Sequence, residues 1–85
     1  MTEDVPQMQW IPSFGEQLVG LSFNPSNDPK VQRAKELCAE LADLLHEHVE
    51  SKSVNTALEL VLYDKAKGDI LDAQMNVVKV LTLNK

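Results

Sequence analysis

His46 and Glu50 stand four residues apart, the spacing that sets two metal-ligating side chains on one helix face. A zinc site needs three or four such donors. The sequence has two histidines and one cysteine, so no Cys pair or third His completes the set, and His48 falls on a different face. The stretch His46-Glu47-His48-Val49-Glu50 therefore reads as solvated residues near a helix C-terminus, where the backbone dipole favours histidine.

A second candidate is Phe23-Asn24-Pro25-Ser26-Asn27-Asp28-Pro29. It leads into a helix whose first N–H groups and positive dipole end suit an anion. Asn24, Ser26 and Asn27 add neutral donors, and Lys30 and Arg33 bring positive charge within a turn. The competing reading is a plain turn and cap, because Asp28 as N-cap occupies the anion position and repels a phosphate. Trp10 and Phe14 offer faces for stacking on bases, and they equally suit a subunit interface. Lys79, one turn beyond Met75 on a mainly apolar helix, either snorkels to water or reaches a ligand phosphate. No nucleophile is paired with a histidine, and three scattered glycines make no phosphate loop, so an enzyme is not expected.

Positioning these residues falls to two long helices. Residues 1–28 hold three of the four prolines and two of the three glycines, which excludes a long helix there. That part reads as an ordered arm with extended pieces, among them Leu18 to Phe23, interrupted by Gly20. Its apolar side chains, from Trp10 and Ile11 to Phe23, need a surface to bury against.

Asp28 as N-cap and Pro29 at the first helical position start the first helix. Apolar Val31, Ala34, Cys38, Leu41 and Leu45 then recur at helical period, opposite Arg33, Glu36, Glu40, Asp43, Glu47 and Glu50. Ser51-Lys52-Ser53 reads as a tight connection, with Ser53 or Asn55 capping the second helix. Gly68 either divides that helix or lets another helix approach, and one helix, kinked or straight, is the preferred reading. The β-branched run Val77 to Thr82 has strand propensity, but the helical spacing continues through it and it reads as helix.

The expected fold is all-α: an extended N-terminal arm over 1–28 and an antiparallel helical hairpin over 29–85, in a single domain. Leu37, Leu44, Leu60 and Val80 lie off the hairpin seam and would face water. A chain of 85 residues with a lone Cys38 has no intramolecular disulfide to support a small core. Self-association into an oligomeric bundle is the remaining route. A buried, reduced Cys38 and the absence of a signal-peptide pattern fit the cytoplasm, and no apolar run is long enough for a membrane span. A net charge of −5 argues against binding a nucleic acid polymer and leaves room for a small anion held by a local donor cluster. No cofactor is called for.

Two stretches together resemble a known family. They are Gly15-Glu16-Gln17-Leu18-Val19-Gly20-Leu21-Ser22-Phe23-Asn24-Pro25-Ser26, followed by Asp28, Val31 and a long amphipathic helix, and Ala73-Gln74-Met75-Asn76-Val77-Val78-Lys79. The arrangement is similar to the hairpin domain shared by phage anti-CBASS and Thoeris anti-defence proteins. The resemblance implies a helical homo-oligomer, typically a hexamer. Its pockets, shared between subunits, sequester cyclic dinucleotides, cyclic trinucleotides or cyclic ADP-ribose isomers without cleaving them, and so silence bacterial anti-phage signalling. Carried onto matching positions, the binding residues are Phe23, Asn24, Pro25, Ser26, Gln74, Met75 and Lys79. Asn76 departs from the pattern, since related sequences often carry an aromatic there; Trp10 or Phe14 is then the candidate stacking surface. The alternative function is a small acidic helical module that binds a host protein as inhibitor or adaptor.

Overall fold

The computed structural model describes residues 11–21, 24–25 and 27–83. These form three helices, α1 (Phe14–Val19), α2 (Pro29–Glu50) and α3 (Ala57–Thr82), with no strand among the described residues. The all-helical reading holds. Trp10, Phe23 and Ser26 lie outside the described residues.

The arm departs from the expected extended form at residues 14–19, which are helical. The physical reason is a reciprocal cap. The Glu16 N–H donates to Ser13 Oγ at 3.1 Å, and the Ser13 N–H donates to Glu16 Oε1 at 2.9 Å. Gly20, read as a break in an extended segment, is instead the stop signal. Its left-handed φ of 63° lets its own N–H reach the Gln17 and Glu16 carbonyls.

α1 is seated on α2 by a contact that requires glycine. A Cβ at Gly15 would collide with the Ala39 carbonyl. Beside this contact the Asp43 carboxylate accepts Ser13 Oγ at 2.7 Å and the Gly15 N–H at 2.6 Å. Asp43, assigned by periodicity to the solvated face, is thus the anchor of α1. Phe14 stacks on His46 with ring centroids 4.4 Å apart. His46 Nδ1 lies 2.9 Å from the Tyr63 hydroxyl of α3, and Lys67 Nζ sits 4.2 Å from the Tyr63 ring centroid.

α2 begins where the sequence places it, with Asp28 accepting the Lys30 N–H at 2.8 Å and Pro29 at the first helical position. α3 is capped by Thr56 and not by Ser53 or Asn55. Thr56-x-x-Glu59 forms a second reciprocal cap, while Asn55 donates instead to the Val49 carbonyl at the end of α2. α3 continues through Gly68 and through Val77 to Thr82. No described residue lies within 4 Å of a Cβ built on Gly68, so this glycine serves no close approach among the described residues.

The core is thin. Among the described residues the buried apolar ones are Val19, Val31, Ala34, Ala39, Ala42 and Ile70, and three of these six are alanines. Leu37, Leu44, Leu60 and Val80 are exposed as expected, joined by Leu41, Leu58, Val61 and Leu62. Ile11 is also exposed, whereas Phe14, Leu18 and Leu21 are half-buried and Val19 is buried. Cys38 is a free, half-buried thiol whose pKa is pushed up by burial. The radius of gyration is 16.1 Å, against about 12 Å for a compact chain of this length. Extents of 47 × 47 × 12 Å make the molecule one helix thick.

Three outcomes follow from these contacts. Gly15→Ala should cost about 1–3 kcal/mol in urea unfolding, as overpacking against fixed backbone does. Gly68→Ala, with open space at its Cβ, should gain about 1 kcal/mol. The third outcome concerns Glu59, whose hydrogen bond to Lys52 and bond to the Thr56 backbone lower its pKa from 4.5 to about 2. A carboxylate with a depressed folded pKa contributes stability that is present above 4.5 and lost as pH falls towards about 2. Melting temperature across that window should therefore fall more steeply for the wild type than for Glu59→Gln.

Candidate functional site

The N-terminal half of α2 and the C-terminal half of α3 enclose a cavity of about 530 Å³ with the segment before α2. Asn24 and Pro25 form one edge. Val31 and Lys35 come from α2, one helical turn apart. Gln74, Met75, Val78 and Thr82 come from α3.

Asn24 holds its edge through a local network. Its Nδ2 donates to the Asp28 carbonyl at 3.2 Å, and its Oδ1 accepts the Asn27 N–H at 3.1 Å. Asn27 takes a left-handed φ of 56°, tolerable for asparagine, and so completes the turn. The Thr82 hydroxyl donates back to the Val78 carbonyl at 2.8 Å.

Two polar side chains stand out against this apolar lining. Lys35 is 6% exposed, its Nζ donates to the Gly20 carbonyl at 3.1 Å, and burial pushes its pKa down. Gln74 is 5% exposed and lines the same cavity. A buried ammonium favours an anion beside it, and a primary amide beside it both donates and accepts. The cavity is thus equipped for a ligand with a negative charge, hydrogen-bonding edges and a substantial apolar or aromatic body.

Of the residues singled out by sequence, Asn24, Pro25, Gln74 and Met75 meet in this cavity. Phe14 does not line it and packs on His46. Lys30 is exposed and Arg33 pairs with Glu36 at 3.4 Å and Glu40 at 3.6 Å, both outside the cavity. Lys79 is exposed and is not among the lining residues. At the N-terminus of α2 the Asp28 carboxylate already takes the Lys30 N–H, so that end caps itself. Among the described residues no three His, Cys, Asp or Glu side chains are grouped to hold a metal ion, and His46 is engaged with Phe14 and Tyr63. No described helix is long and apolar enough to cross a membrane.

Lys35 is the buried charged residue of the cavity that sequence reasoning missed. The signal was its register: Lys35 lies four residues after Val31 and seven before Ala42, on the buried stripe of α2.

No family model, curated protein or solved structure matches the chain.

Proposed function

We propose that this chain binds a cyclic nucleotide messenger in the α2–α3 cavity and sequesters it without chemistry. One observation carries the reading. The two stretches that bear the family resemblance lie some fifty residues apart, and Asn24 and Pro25 from one meet Gln74 and Met75 from the other around one cavity. Lys35 supplies positive charge for a phosphodiester, and Met75 and Val78 supply soft apolar surface for a base or ribose. A volume of about 530 Å³ falls within the range of small-molecule sites.

In the same reading, α2 and α3 are the arms of an antiparallel hairpin, and several copies assemble into a bundle, with a hexamer the expected state. Exposed Leu37, Leu41 and Leu44 on α2 and Leu58, Val61 and Leu62 on α3 are the surfaces available for that assembly. Phe14, Lys30, Arg33 and Lys79 then reach a ligand only if a neighbouring copy brings it to them. The working compartment is the host cytoplasm, and neither metal nor cofactor takes part.

The second reading, an acidic module that captures a host protein, is favoured by the same row of exposed leucines. The two readings separate in one experiment. Melting curves recorded with a panel of cyclic dinucleotides, cyclic trinucleotides and cyclic ADP-ribose isomers should rise for at least one compound, by mass action on the folded state. That compound should return intact, by mass, after the protein is heat-denatured. Native mass spectrometry of the same sample gives the copy number. A flat panel beside a stoichiometric complex with a host protein would favour the module instead.

A further inference from the structure

We infer that α1 is the positioning element of the cavity: its docking at Asp43 sets the Gly20 carbonyl that holds the Lys35 ammonium at the cavity wall. The inference rests on the binding function proposed for the cavity and names the residues that prepare it. α1 runs back along α2. It starts where Ser13 and Gly15 meet Asp43 and ends where the Gly20 carbonyl meets Lys35. Asp43 and Lys35 are eight residues apart on α2, about 12 Å at the helical rise. A six-residue helix with both ends capped spans most of that distance as a rigid strut.

The strut has no slack at its Asp43 end. Gly15 is packed against the Ala39 carbonyl with no room for a methyl group, so α1 cannot slide without losing both Asp43 bonds. At the other end, a helix stop turns carbonyls outward, and the negative end of α1 faces a cation. Lys35 carries three donors and a flexible stem. Gly20 accepts one of them and so removes rotamer freedom before any ligand arrives. Side chains on a helix lean towards its N-terminus, which for Lys35 is the side of Asn24 and Pro25. Asp43, Ser13 and Gly15 lie outside the cavity, and they act on it through this lysine.

The test uses the full chain and two graded variants, Ser13→Ala and Asp43→Asn, each checked for retained helicity by circular dichroism. Lys35 is titrated by its side-chain ¹³Cε NMR shift. In the wild type its pKa should lie below 10.5, and in the variants it should return towards that value as α1 lifts away. A Lys35 titration that is the same in all three proteins overturns the inference, whatever binds.

Affinity is measured in parallel with cyclic di-AMP, cyclic GMP–AMP and cyclic ADP-ribose as probes. Asp43→Asn should weaken the best of these about three- to ten-fold, the cost of re-ordering one long side chain. In a Lys35→Met background the same substitution should have no further effect on affinity. Equal binding by wild type and Asp43→Asn, or an undiminished effect in the Lys35→Met background, overturns the inference. Failure of the wild type to bind any probe removes the proposed ligand class, and the Lys35 titration then decides the positioning role alone.

Discussion

A layer one helix thick has nowhere to hide large apolar side chains. Stable domains bury the apolar stripe of each element against a second layer. Among the described residues the second layer is missing, and most features of the structure follow from that. α2 turns one face, bearing Val31, Ala34, Ala39 and Ala42, towards α1 and α3, and leaves Leu37, Leu41 and Leu44 in solvent. The buried set is small because only thin contacts are possible between helices that share an edge. No large side chain is fully buried.

Within that constraint, hydrogen bonds take over some of the work usually done by a core. α1 is too short to be stable alone, since helix nucleation costs more than one turn returns. It persists because both its ends are capped and because Asp43 accepts two donors from its first turn. Close approach is what makes those bonds possible. Gly15 and Ala39 bring the two backbones together, and Asp43 reaches across from one turn further along. Replacing this polar anchor by apolar packing would require volume that a single layer cannot enclose.

The parts of the fold that were legible in the sequence are those fixed by local chemistry. Asp28 followed by Pro29 specifies the start of α2 in any context, and the structure starts there. Helical spacing through Ala73-Gln74-Met75 outweighed the β-branched run after it, because there is no neighbouring strand for Val77 to Val80 to pair with. The start of α1 was present as Ser13-Phe14-Gly15-Glu16 and was hidden by its flanking glycines, one of which is a stop signal and the other a packing requirement. Thr56-Ala57-Leu58-Glu59 carried the same code for α3. Of the cavity, Asn24 was legible as a donor in the segment before α2, whereas Pro25, Gln74 and Met75 were assigned a binding role only through resemblance. Lys35 was not, because a lysine in a helix is read as solvated unless its register is counted. Asp43 was placed on the wrong face because the partner that buries it, α1, had not been read as a helix.

The cavity and the thin core are two aspects of one economy of structure. Burying the Lys35 ammonium works against a fold that has little apolar burial in reserve. In a chain selected for stability alone, leucine there would pack the α2–α3 seam. Instead Lys35 and Gln74 line the seam at its open end. It is held together at its other end by Phe14, His46, Tyr63 and Lys67. The aromatic cluster, the Asp43 anchor and α1 therefore act in one direction: they tie down the helices at a distance from the cavity.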